Sequence, residues 1–200
     1  MQLLEPVTLP VNLVLSAQSN ALLRALLAAE GIAQQASPTE APSTALQPPA
    51  AGEYWQGQGG YYICTLPALL GMPARHLIVS ANEKDDLTFG PDKEVSGAGS
   101  HIDGAANTTA LLKSGDAHPA AHWARTYTAD GHNDFFLPSR YDLLMAWLCA
   151  PKLFKTSGWY WSSTQFSRHL AFVQDFEDGG SYWLNKGDER RVRASRAIQL

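Results

Sequence analysis

Several side chains in this sequence have the types and spacings that chemistry uses, and each also has a plainer structural role to fill. His118 and His122 stand four residues apart, the separation at which two imidazoles on one helical face can share zinc. A zinc centre also needs a third ligand, and neither an HExxH pattern nor a cysteine pair accompanies them, so no metal is expected. Asp175, Glu177 and Asp178 offer carboxylates to calcium, but outside an EF-hand-like loop they read as a solvated turn. Ser162, Ser163 and Thr164 supply hydroxyls without a His–carboxylate partner in a recognisable context, so structural hydrogen bonding is expected in place of nucleophilic catalysis. Arg190, Arg191, Arg193 and Arg196 form a basic run that Asp188 and Glu189 partly neutralise. Arg191 and Arg193 would share one strand face, and ion pairing at a sheet edge is the expected role. The glycine-rich stretch from Ser96 to Ser100 lacks the lysine of a phosphate loop and reads as a loop. Cys64 and Cys149 sit among apolar residues and read as buried free thiols, with a disulfide the alternative.

What remains is aromatic. Residues 154–183 hold nine of the chain's twenty Phe, Trp and Tyr residues, a density that serves either a compact β core or a recognition surface. Within and beside that run, Gln165, Phe166, Arg168, His169, Tyr182, Trp183, Asn185 and Lys186 combine ring faces with amide and charged donors. Such a set suits a sugar or a protein epitope; it is also what ordinary exposed hairpin residues look like. Strand alternation places Trp159 and Trp161 on one face, with Trp161 in the core, and Tyr160 on the other. The same rule sends one of Tyr182 and Trp183 toward the core.

These residues need strands and turns to position them. Tyr61–Thr65 and Arg75–Ser80 have the β-branched and aromatic content of strands. From Trp159 onward a β meander is expected, with Asp178-Gly179-Gly180 turning one hairpin and Asn185-Lys186-Gly187-Asp188 another. Residues 81–118 carry Gly, Asn, Asp and Ser throughout and are expected to form long loops. Pro119 starts a short helix through Trp123. A firmer helix follows Ser139, which can cap the backbone while Asp142 reaches back, ahead of a Leu143, Leu144, Trp147, Leu148 stripe.

The first fifty-two residues contain only four charges, Glu5, Arg24, Glu30 and Glu40. Residues 1–33 read as an extended arm and a helix from about Ala17 to Glu30, whose Leu22, Leu23, Leu26 and Leu27 stripe must dock on a partner. Residues 34–52 are Ala, Gln and Pro rich, which is linker chemistry, and residues 53–200 form the folded domain. The composition is globular, at 45% apolar and 17% charged, and a net charge of −4 implies no general affinity for nucleic acid. No stretch reaches the ~20 apolar residues of a membrane span, and residues 1–30 read as no export signal.

The order Asn133-Asp134-Phe135-Phe136-Leu137-Pro138-Ser139-Arg140, a helix, Tyr160-Trp161-Ser162-Ser163-Thr164, a strand ending in Phe176 and Gly179, and Val192-Arg193-Ala194-Ser195-Arg196 resembles one family. It is similar to the bacterial and phage domain family of unassigned function that also forms the C-terminal domain of a collagen-like bacterial adhesin. That family is related to the C-type lectin-like fold and to formylglycine-generating domains. The resemblance covers residues 100–200 well and 53–99 loosely. Where members often carry a cysteine between the two Val-Arg elements, this chain has Ala194.

The resemblance implies an α+β, C-type lectin-like fold: a small twisted antiparallel sheet, one or two helices, and long recognition loops. It implies a non-enzymatic phage or prophage virion structural protein, a tail-tip, fibre or particle-surface component, assembled in the bacterial cytoplasm. Residues 1–33 would join other virion proteins, the chain would be a homo-oligomer, and the ligand would be a host glycan or surface protein; no cofactor is expected. A bacterial adhesin at the cell surface or a hypervariable ligand-binding protein is the alternative. A formylglycine-generating type of enzyme ranks third, since its paired cysteines near the C-terminus have no counterpart in Cys64 and Cys149.

Overall fold

The computed structural model describes residues 46–200; the expected arm and helix of residues 1–33 and most of the linker lie outside the described residues. The strands are β1 (Tyr54–Trp55), β2 (Gly60–Leu66), β3 (Arg75–Thr88), β4 (Trp159–Gln165), β5 (Leu170–Asp175), β6 (Ser181–Asn185) and β7 (Glu189–Gln199). The helices are α1 (Gly104–Lys113), α2 (Pro119–Thr126) and α3 (Arg140–Cys149), with a 3₁₀ turn at Pro151–Leu153. All seven strands join one sheet in the order β1-β2-β3-β7-β4-β5-β6, so the described residues are α+β.

The sheet is larger than the small antiparallel one expected, and it is mixed. Every adjacent pair is antiparallel except β4 and β7, which run parallel and meet only at Tyr160 and Arg191. It therefore consists of two half-sheets, β1-β2-β3-β7 and β4-β5-β6. Asn185 to Asp188 does form a turn, with the Asp188 N–H donating to Asn185 O at 2.9 Å. The expected second hairpin is absent, because β7 leaves that turn to pair with β3 from Thr88–Glu189 to Arg75–Gln199. β7 is thus a central strand, and its arginines are not at a sheet edge.

Residues 81–118 are more regular than their composition suggests. β3 continues through Thr88, and α1 occupies 104–113. The small and polar residues that read as loop make tertiary contacts instead. The Asp103 carboxylate caps the Ala106 N–H at 2.8 Å, and the buried Asn107 amide both accepts from Ser100 N–H and donates to Ser100 O. Gly104 leaves no room for a side chain: a Cβ there would sit 2.7 Å from both Leu137 O and Ser139 N.

Alternation along β4 has the expected form. Trp161 is buried with Phe89, Leu111, Ala121, Phe135 and Val192, and Trp159 packs against that group. Tyr160 points the other way, yet it is equally buried, among Leu77, Leu143, Ala146, Phe154 and Phe176. Both faces of the sheet centre are covered, so the face opposite Trp161 is core as well.

The segment 134–140 enters between the half-sheets and bonds to both the Tyr160–Thr164 and the Val192–Arg196 stretches. Phe136 and Ser195 exchange backbone hydrogen bonds at 2.8 Å each, and Ser163 N–H donates to Pro138 O at 2.7 Å. Arg140 N–H donates to Thr164 Oγ1 at 3.1 Å, and Arg196 Nε to Asp134 Oδ1 at 2.5 Å. Ser139 and Asp142 then form the full capping box of α3. Asp142, not the leucine stripe alone, faces inward with Leu143 and Ala146, while Leu144 and Leu148 are exposed. Its carboxylate accepts from Ser139 and from the buried Arg75 Nη2 at 3.3 Å.

Asp142→Ala leaves the Arg75 guanidinium buried and unpaired and removes half of the capping box, so a loss of about 3–5 kcal/mol is expected in urea unfolding. The double variant Arg75→Met, Asp142→Leu is expected to lose less. A change below about 1 kcal/mol in Asp142→Ala would show that the buried pair is not structurally important.

Candidate ligand-binding surface

At the β6 end of the sheet the helices no longer cover either face, and rings come to the surface. Phe166, just past the end of β4, and Trp183, in β6, are each 51% exposed. Their rings stack at 5.0 Å with planes 16° apart. Phe172 lies beneath, edge-on to Phe166 at 5.4 Å and to Trp183 at 6.3 Å. The Arg140 guanidinium sits 4.4 Å over Phe172, held by a 2.9 Å bond from Nε to Ser181 Oγ. The His101 ring packs on Phe172 at 5.3 Å, and its pKa is lowered by partial burial and by Arg140. The result is an apolar plate of two stacked rings bordered by an arginine and a histidine.

Tyr182 is on the opposite face, 43% exposed, tilted against Trp159 at 6.0 Å and bonded to Asp178 Oδ2. Neither Tyr182 nor Trp183 faces the core, contrary to the expectation from alternation, because β6 extends past the packing on both sides. Around Trp159, a cleft of about 510 Å³ is lined by Asp85, Asp175, Glu177, Arg190 and Arg191. Arg191 is occupied there by Asp85 and by Ser157 O, and Asp175 by the Trp159 indole N–H.

The remaining expected residues divide. Arg168, His169 and Asn185 are exposed, and His169 Nδ1 lies 3.1 Å from Asp92. Gln165 and Lys186 are buried and do not belong to the exposed surface. Lys186 Nζ donates to Lys93 O at 2.7 Å and to Gln165 Oε1 at 2.6 Å, and lies 5.4 Å over the Phe89 ring. Gln165 Oε1 also accepts from Val95 N–H. Together they pin the 93–95 loop to the β6–β7 turn. Burial pushes the Lys186 ammonium down to about 8 despite Asp92 and Glu94 nearby, and the neutral amine still has two protons for its two acceptors.

The other chemical possibilities resolve into structure. His118 is the residue before α2, its buried Nδ1 3.0 Å from Phe89 O, whereas His122 is exposed; the two do not face one ligand. Among the described residues no group of three or more His, Cys, Asp or Glu is placed to hold a metal ion. Ser162 Oγ donates to Phe172 O, Ser163 Oγ accepts from Asn107, and Thr164 Oγ1 donates to Ser100 O. A larger cleft, about 1080 Å³, is lined by Lys93, Asp103, Thr109, Arg125 and Asp142. Several of its charges are engaged internally, Lys93 with Asp116, Arg125 with Thr109 and Asp142 with Arg75, while Glu94 and Lys113 also line it. No described helix is long and apolar enough to cross a membrane.

No protein-family model matches this chain, and no curated protein matches it. Arg140, His101 and Phe172 were not legible as site residues. Arg140 closes the Phe-Phe-Leu-Pro-Ser-Arg motif, and a basic residue placed right after a helix cap was the available signal.

The Lys186 shift has a defined sign. The folded pKa, about 8, lies below the ordinary unfolded value near 10.4, so between those pH values the unfolded chain binds more protons and stability rises with pH. Lys186→Met is expected to flatten that rise in denaturant titrations from pH 8 to 10. Identical pH slopes for the two proteins would contradict it.

Proposed function

We propose that residues 53–200 form a lectin-like recognition module without enzymatic activity, carried on a phage or prophage particle. The observation that carries this reading is the plate made by Phe166 and Trp183. Two stacked, half-exposed rings packed edge-on to a buried Phe172 hold their outer faces and edges at fixed geometry, which favours the apolar face of a sugar ring or a protein side chain. Arg140, Arg168, His101 and Asn185 supply polar groups around or near it. The resemblance of residues 133–140, 160–164 and 192–196 to the phage and adhesin domain family supports the C-type lectin-like assignment and the virion setting. Fold likeness alone names no ligand, so the reading rests on the plate.

The thiols argue against the enzymatic relatives. Burial and the neighbouring Cys149 push the Cys64 thiol up to about 12, the opposite of an activated nucleophile.

Trp183→Ala and Phe166→Ala are each expected to weaken binding to a ligand found by glycan array or host-cell capture by ~2 kcal/mol, roughly 30-fold, at nearly unchanged melting temperature. Tyr182→Ala, on the other face, is expected to bind normally. Mass spectrometry of purified particles should find the chain; its presence in lysate but absence from particles would favour the adhesin reading. Unaltered binding in both plate variants would move recognition elsewhere.

A further inference from the structure

Cys64 and Cys149 lie 85 positions apart in sequence and come together in the fold. The cause is a β-bulge. β2 pairs with β3 at Tyr62–Ile78 and then at Cys64–Leu77, so Ile63 is an inserted residue. Tyr62 packs with Trp55 and Ile78 on one face of the sheet. In a regular strand Cys64 would follow Tyr62 onto that face; the extra residue turns it to the opposite face, where α3 packs. Cys149 is the last residue of α3, and both cysteines pack against the Ile63, Leu66, Leu143 and Ala146 group. Both are half-buried free thiols on the same face of the sheet, and Cys149 is near enough to contribute to the raised pKa of the Cys64 thiol.

We propose that Cys64 and Cys149 are a disulfide-forming pair that, on exposure to a small-molecule disulfide, closes a covalent staple between β2 and the end of α3. The pair belongs to neither the aromatic plate nor the clefts, so the proposal is independent of the reading above. With oxidised glutathione, one protein thiol loses its proton and attacks a glutathione sulfur, forming a mixed disulfide and expelling one glutathione thiolate. The second protein thiol loses its proton and attacks the protein sulfur of that mixed disulfide, closing Cys64–Cys149 and expelling the second glutathione. Two protein thiols are oxidised and one glutathione disulfide is reduced. Burial keeps the Cys64 thiolate scarce at neutral pH, so the pair persists reduced until a disulfide is supplied for long enough.

The full chain, reduced and then incubated with oxidised glutathione in mildly alkaline buffer, is expected to lose both titratable thiols. Its intact mass should fall by that of two hydrogen atoms, and a non-reducing digest should link the Cys64 and Cys149 peptides within one chain. Cys149→Ser should instead retain a single thiol, free or as a glutathione adduct. Two persistent adducts per chain, both thiols left free, or linkage only between chains would overturn the proposal.

Discussion

The reciprocal hydrogen bonds between Phe136 and Ser195 solve a problem that the sheet creates for itself. β4 and β7 meet at a single parallel pair and then diverge, leaving backbone donors and acceptors inside the molecule without a strand partner. Residues 134–140 fill that gap, bonding to Ser195 on one side and to Ser163 and Thr164 on the other. Leu137 N–H donates in addition to the buried Thr108 hydroxyl of α1, and Ser139 starts α3. One short segment therefore registers two half-sheets and two helices.

The exposed surface inherits its order from that segment. Arg140 follows directly, its amide bonded to Thr164 and its side chain laid over Phe172 and tied to Ser181. Phe172 in turn supports Phe166 and Trp183. The plate is thus backed by backbone tied to both half-sheets, an arrangement that would limit ordering losses if the plate binds a ligand. β6 itself carries no charged residue from Ser181 to Asn185 and is a terminal strand of the sheet. Edges of that kind are commonly blunted by lysine or proline, and exposed rings beside an unblunted edge fit the recognition surface proposed for this face.

Local rules were legible where a residue's neighbours in sequence are also its neighbours in space. The Ser139–Asp142 capping box, the Asp178-Gly179-Gly180 turn, and the opposite faces of Trp161 and Tyr160 are all of this kind. Non-local pairing was not legible. Nothing adjacent to Glu189 says that the strand after the Lys186 turn skips β6 and inserts between β3 and β4. α1 was hidden because Gly104 and Asn107 serve close approach and a buried hydrogen bond, roles that have the composition of a loop. Gln165 and Lys186 read as surface groups for a similar reason: polar side chains that pin one loop to another look the same in sequence as those that meet solvent. The exposed rings were legible as a cluster, but which of them stack was decided by the β4–β5–β6 register.

If segment 134–140 holds the half-sheets together, amide hydrogen exchange under native conditions shows it residue by residue. The amides of Phe136, Ser163 and Ser195 should exchange only through global unfolding, with protection equal to that of the β3–β7 ladder, while β6 amides open at lower free energy. Exchange of Phe136 and Ser163 through a low-energy opening, with the β3–β7 ladder still protected, would show that the segment does not hold the half-sheets together.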